Sequence, residues 1–430
     1  MSDAMNVTDV TTQTLDGWAT KPDGPVALRL KQTLLPVEES RIVFPPTYAD
    51  IGYNIDILSD GTRVATIDSV GSQANRLEPI FISDSEDPAE WLVPQIEIVI
   101  RKEACGECDA CRKNAHEGKK AKKDCERPRE VTRSLLDLAH RAADAVVQSS
   151  PDFLKLIAPA FKKLHQGDAG PLCTIAPTSL VFGVWDSRGD TGEKRPRLVR
   201  SIIRAWDVEP LHAAAQFNSV WKLLDEEQQE ELTSAAKKLA KDWGKIMSSA
   251  GLKDAPTTFR KIGGSAAKYM LEFRDGSPNP ERRILGGVLV KGRVEREVTV
   301  NLVALRGLRG ASSDETAAIR KYLLGLSLVA ATADIELFLR EGCLLRYAED
   351  ADVWYQVPRR GEPTKVSLSR DVIEEFTKSA AEHFRKKWPE VFKDKWNNGR
   401  PQLKYAFDLN EAKKLLAEAK KTAEEEPQPA

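Results

Sequence analysis

Residues 53–78 read YNIDILSDGTRVATIDSVGSQANRLE, and they decide how the chain is to be taken. Tyr53–Leu58 and Arg63–Ile67 alternate apolar and polar side chains around Ser59-Asp60-Gly61-Thr62, an Asp-Gly turn, and so predict a β-hairpin. Asp68–Glu78 then predicts a strand giving way to a short helix through small residues. Working outward, Gln95–Ile100, Ser179–Trp185, Val199–Val208, Gly286–Leu305 (with a turn at Arg293–Glu297) and Val353–Val357 read as strands. Val131–Val147, Phe153–Leu164, Leu211–Ala250, Asp314–Thr332, Arg370–Lys387 and Asn410–Thr422 read as helices. Asp334–Leu345 fits either. Hairpin signals beside long helices predict an α+β chain with an antiparallel sheet.

Apolar residues make up 41% of the 430 residues and charged residues 30%, a balance that excludes a wholly disordered chain. No apolar run approaches the twenty residues of a membrane span. No secretory signal is visible in Met1–Met5, which predicts a cytoplasmic protein. The 64 basic and 65 acidic residues give a net charge of −1, so net charge decides nothing about nucleic acid. Distribution does more. Arg188, Lys194, Arg195, Arg197, Arg200 and Arg204 crowd one stretch, and Arg282–Arg309 is a second, so a local groove for an anionic polymer is expected. Residues 1–25 read as a polar, loosely ordered segment, 26–408 as the core with insertions at 104–129 and 211–285, and 409–430 as a helix with an acidic tail.

Four of the six cysteines lie together. Cys105, Cys108 and Cys111 follow C-x2-C-x2-C spacing and Cys125 closes the set, with His116 between. Thiolates at this spacing suit tetrahedral zinc. Iron–sulfur clusters also use such triplets, although a Cys-Pro commonly follows there and Cys125 precedes Glu126. Structural zinc is the expectation, with Lys119, Lys120, Lys122 and Lys123 lowering the thiol pKa values. Cys173 and Cys343 read as core residues.

Catalytic constellations are scarce. The five histidines stand in no nucleophile or metal motif. Asp186 with Asp190 and Asp350 with Asp352 are carboxylate pairs of the kind that hold Mg²⁺, but such loops are usually only solvated. The expectation is a binding protein rather than an enzyme.

Asp68–Glu78, Pro177–Arg188 (PTSLVFGVWDSR), Arg195–Asp207 (RPRLVRSIIRAWD) and Gly286–Arg306 together resemble the RAMP-superfamily backbone subunit of the type I-G (formerly I-U) CRISPR Cascade complex. The resemblance runs from about residue 26 to 345. It implies a ferredoxin-like, RRM-related core with inserted finger and thumb regions. It implies several copies stacked along a CRISPR guide RNA, a target DNA strand, and partner subunits including a large subunit and a guide-processing or capping subunit.

The RNA-binding residues then expected are Ser69, Ser72, Gln73, Asn75, Arg76, Arg188, Arg195, Arg197, Arg200, Arg204 and Arg306. Small residues and amides at a helix start suit close approach of phosphate, and Arg76 suits a bidentate clamp. Trp185 and Trp206 are expected in the core. A RAMP-type endoribonuclease, using Asp186, Asp190 or His212, is the alternative, and a zinc-dependent assembly protein with incidental RNA contacts is a third reading.

Overall fold

The structure is a computed structural model that describes residues 7–48, 51–105, 107–109, 125, 129–187, 191–212, 224–239, 243–244, 247, 285–388 and 404–425. The elements that position the site are, in chain order, α1 (Thr12–Thr20), β1 (Ala27–Pro36), β2 (Ile55–Ile57), β3 (Arg63–Asp68), α2 (Val70–Leu77), β4 (Glu97–Glu103), β5 (Arg129–Ser134), α3 (Pro151–His165), β6 (Val199–Trp206), β7 (Val294–Asn301), α4 (Ser313–Thr332), β8 (Cys343–Val357), β9 (Thr364–Ser367) and α5 (Arg370–Lys387).

β1 is the centre of the main sheet. Its side chains alternate strictly: Leu28, Leu30, Gln32 and Leu34 are buried, while Ala27, Arg29, Lys31 and Thr33 point the other way. β7 does the same, with Val294, Arg296, Val298 and Val300 inward against Glu295, Glu297, Thr299 and Asn301. A period of two fixes both register and face, because a one-residue slip would turn every leucine outward. The main sheet runs Thr8–Asp9, β9, β8, β1, β7, β6, β3, β2. Within it, β8-β1-β7-β6 is antiparallel at each contact. In chain order these strands are fourth, first, third and second, the arrangement of the ferredoxin-like split β-α-β fold. The α+β expectation therefore holds down to the order of the four central strands.

Helices cover one face of this sheet. α2 lies on β6, and α4 lies on β6 and β7 with α5 and α1 packed behind it. α4 is buried nearly all round, from Ala318 to Thr332, because it is sandwiched between sheet and helices. Tyr322 stacks on Phe384 of α5 with ring centroids 4.5 Å apart. At Gly325 the two helices meet so closely that a Cβ would stand 2.9 Å from Thr377 Oγ1 and 3.0 Å from its Cα. A smaller sheet of Lys404–Ala406, β4 and β5 stands beside α3, with Tyr405 against Phe153.

Four local expectations are corrected. Residues 12–20 form a helix rather than a loose segment. Thr11 and Thr14 make a capping box, and Leu15, Trp18 and Ala19 sit at one face's spacing and are buried. Val131–Val147 is not one helix: β5 pairs with β4, short 3-10 turns follow at Leu135–Asp137 and Arg141–Ala143, and only Ala145–Gln148 turns α-helical, so strand pairing overrides local periodicity. Ser179–Trp185 is not a strand. Pro177 starts a short helix to Val181, and only Val184–Trp185 is extended. The turn before β7 lies at Lys291–Arg293, earlier than Arg293–Glu297. Residues 211–285 lie mostly outside the described residues, apart from the helix Glu226–Leu239.

Candidate nucleic-acid interface and metal centre

The junction of β3 and α2 carries the segment read as an RNA contact. Ser69 caps α2, its Oγ accepting from the Ser72 amide at 3.3 Å, and the two hydroxyls are 3.2 Å apart. Asn75 is exposed. Gln73, expected at RNA, is instead fully buried. Its Nε2 donates to Asp68 Oδ2 at 2.7 Å, and its Oε1 accepts from Ser201 Oγ at 2.7 Å and from Arg296 Nε at 3.2 Å. Arg296 also donates to Gln32 Oε1 at 2.5 Å and to the Ala331 carbonyl at 3.2 Å. An interior polar network therefore ties β1, β3, β6, β7, α2 and α4 together, and the familiar sequence here serves the core. Burial lowers the pKa of Arg296.

Arg76 reaches back from α2. Its Nε lies 3.2 Å from Asp68 Oδ2 and its Nη2 donates to the Leu339 carbonyl at 2.7 Å. Arg340 meets the same carboxylate at 3.3 Å. Two partly exposed guanidinia thus share one buried acid, and Arg340 was not legible because it lies far away in sequence. Arg195 and Arg306, expected at RNA, are anchored inward instead. Arg195 pairs with Glu193 at 2.7 Å and donates to the Leu164 carbonyl at 2.9 Å. Arg306 donates to the Trp18 and Pro25 carbonyls at 3.1 and 2.7 Å. Arg188 lies outside the described residues, and Arg197 is exposed.

Arg200 and Arg204 do share a face, and among the described residues it is the face without helices. Register pairs Arg200 with Thr299, Thr299 with Arg29, Arg29 with Tyr355 and Tyr355 with Lys365. One row across five strands therefore holds Arg200, Arg29 and Lys365 and no acid. The Arg29 guanidinium stacks 4.8 Å from the Tyr355 ring centre. With strands about 4.8 Å apart, these cations recur roughly every 10 Å. The neighbouring rows are neutralised. Lys31 lies 3.5 Å from Glu295 and 4.0 Å from Glu297, Arg293 lies 3.4 Å from Glu295, and Arg204 stands opposite Glu295 in the ladder. The outward positions of β1 and β7 hold no aromatic, whereas Tyr355 of β8 stands in the row itself, beneath Arg29. Arg29 was readable in principle: ALRLKQTLL alternates cleanly and places Arg29 and Lys31 opposite the leucines.

The two tryptophans expected in the core are not in it. Trp185 is 61% exposed on a hairpin with Lys194–Arg195, with Lys194 Nζ 5.3 Å from its ring centre. Trp206 is half-buried beneath Arg293. Of the carboxylates considered for Mg²⁺, Asp352 accepts from Gln32 Nε2 at 2.6 Å and Asp186 is buried. Asp190 and the side chains of Asp350 and His212 lie outside the described residues.

Cys105, Cys108 and Cys125 lie beyond the last pair of the β4–β5 hairpin, Glu103 with Arg129. The Sγ atoms of Cys105, Cys108 and Cys125 lie within 4.8 Å of one another. Bonds of 2.3 Å to a tetrahedral zinc would space sulfurs about 3.8 Å apart, so the three fit a common ion. The Cys108 amide donates to Cys105 Sγ at 3.4 Å. That bond, with a second from the Glu107 amide, brings the Cys105 thiol down to about 6. Among the described residues it is backbone amides that favour the thiolate here. Lys119, Lys120, Lys122, Lys123 and Cys111 lie outside the described residues.

Among the described residues no helix is long and apolar enough to cross a membrane. No curated protein matches the chain. Residues 28–210, somewhat under half of the chain and holding β1 to β6, match the family model described as CRISPR-associated protein GSU0053, and over this stretch the chain is similar to a CRISPR-associated protein.

Proposed function

We propose that the chain is a non-catalytic, guide-RNA-binding backbone subunit of a type I-G Cascade complex, with several copies assembled along one CRISPR RNA. The observation that carries this is the acid-free row of Arg200, Arg29 and Lys365 on the face of a ferredoxin-like sheet opposite its helices. Spacer sequences differ from guide to guide, so a backbone subunit must hold phosphate and sugar and leave the bases unread. Cations spaced along a row whose β1 and β7 neighbours carry no aromatic suit that task. The similarity of residues 28–210 to a CRISPR-associated protein supports the same reading. In the complex the chain would contact the target DNA strand, its own copies, a large subunit and a guide-processing or capping subunit. Zinc held by Cys105, Cys108 and Cys125, with Cys111 as the fourth ligand, would stiffen this end of the hairpin.

The test is purification from cells that also express a CRISPR array and the partner subunits, followed by sequencing of the bound RNA. Uniform guide-length RNA with array spacers is the expected result. Random cellular RNA, or none, would overturn the proposal. Incubating the pure protein with labelled repeat RNA and Mg²⁺ should leave the RNA intact, and specific cleavage would favour an endoribonuclease.

A further inference from the structure

A cavity of about 520 Å³ opens between α1, the loop that follows it and the outer end of β8. It lies apart from the cation row and from the cysteine hairpin. Trp18, Pro25 and Pro358 give it an apolar lining, Gln13 and Gln356 give it amide groups, and Lys21 and Arg359 line it as cations. The loop is held in shape. Arg359 Nη2 donates to the Pro22 carbonyl, and the Arg306 guanidinium clamps the Trp18 and Pro25 carbonyls from behind. Gly24 brings the backbone close to that guanidinium: a Cβ there would stand 3.4 Å from Arg306 Nη1.

Charge in this corner is one-sided. Among the described residues Lys21 and Arg359 line the cavity against a single acid, Asp23, and Arg306 stands behind the wall on the Trp18 and Pro25 carbonyls. Burial and the nearby Arg359 and Arg320 charges all disfavour protonated Arg306, and Asp23 alone opposes them. A concave site focuses such a potential and draws an anion. An apolar lining from Trp18, Pro25 and Pro358, amide donors and acceptors, and two cations are together the parts needed for a ring bearing a phosphate.

We infer that this cavity binds a phosphorylated nucleoside, with Lys21 and Arg359 on the phosphate and the Trp18–Pro358 walls and Gln356 on the base. The same chemistry is offered by a free nucleotide and by the phosphorylated end of an RNA strand. The reading is independent of the RNA role of the sheet face that carries the cation row.

The test is calorimetric titration of the full chain with AMP, adenosine and inorganic phosphate, on the wild type, Lys21→Glu, Arg359→Glu and the Arg29→Glu/Arg200→Glu double variant. AMP should bind saturably and at least tenfold more tightly than adenosine or phosphate. Each pocket variant should weaken AMP about tenfold while melting like the wild type, and the sheet-face variant should leave AMP binding intact. Comparing 5′-phosphorylated with 5′-hydroxyl RNA separates the sources. A preference that Lys21→Glu erases assigns the pocket to an RNA end, and equal binding of both RNAs assigns it to a free nucleotide. Absence of saturable AMP binding, AMP binding unchanged in both pocket variants, phosphate binding as tightly as AMP, or loss of AMP binding in the sheet-face variant would each overturn the inference.

Discussion

Gln73 and Arg296 show how a residue chosen for chemistry at the surface can belong to the interior. Gln73 bridges a buried carboxylate, a buried hydroxyl and a buried guanidinium, so replacing it strands three polar groups at once. Gln73→Ala should cost about 2–4 kcal/mol of stability, read as a lowered denaturant midpoint. RNA affinity of the folded fraction should stay as in the wild type. A variant that melts normally but binds RNA poorly would return Gln73 to the interface.

The buried pair of Glu78 and Arg141 makes a second residue-scale prediction. Burial lifts the Glu78 carboxyl to about 7, against the pull of Arg141, 2.6 Å away. A carboxyl raised above its ordinary 4.5 binds its proton more tightly when folded, so its contribution is fullest at low pH and is lost as pH climbs from about 4.5 to about 7. Arg141→Met removes the group that holds the value down and extends that loss upward. Its melting temperature should fall more than the wild type's between pH 6 and pH 8, with up to about 1.4 kcal/mol lost per pH unit. Equal pH dependence of the two proteins would refute the account.

Among elements, the long periodic ones were legible and the short ones were not. Asp314–Thr332 and Arg370–Lys387 carry enough turns for periodicity to show, and both helices occupy the expected residues to within one position. Pro177–Val181 spans five residues, too few to display a period, and its apolar run reads equally well as a strand. Val131–Ser134 became a strand because β4 is beside it, a fact that no local window contains.

Where α4 and α5 touch, Gly325→Ala would push a methyl into Thr377 backbone and side chain. It should destabilise by about 1–3 kcal/mol despite alanine's better helix propensity. A stabilised variant in thermal melts would show that the helices can part. The cysteine hairpin should respond locally. Chelation, or Cys105→Ser, should raise protease sensitivity between Glu103 and Arg129 and leave the main sheet's melting transition in place, because the core makes no use of those thiols. Loss of the whole transition would place the metal in the global fold.

For the whole molecule, the sheet's two faces divide the labour. One carries the helices and the polar network, and the other carries the cation row. Arg29→Glu and Arg200→Glu should each weaken RNA about tenfold regardless of its sequence and flatten the salt dependence, each neutralised phosphate contact being worth about one unit of slope. Affinity unchanged in both, by filter binding at two salt concentrations, would remove this face from consideration. The fold class was readable because alternation and helical period survive in single segments. The site was only half readable, since Arg200, Arg29 and Lys365 become one row only after five strands have been set in register.

That register also sets a timetable. β1 lies between β7 and β8, so both of its neighbours are translated long after it. A nascent chain must carry Leu28, Leu30 and Leu34 without their ladder until residues 294–301 have left the ribosome. Strands that wait for distant partners close slowly and are exposed to wrong ones meanwhile. Yield of the native protein should therefore depend on how the early segment is shielded during synthesis, and slower translation or added holdase chaperone would act on that interval rather than on the finished fold.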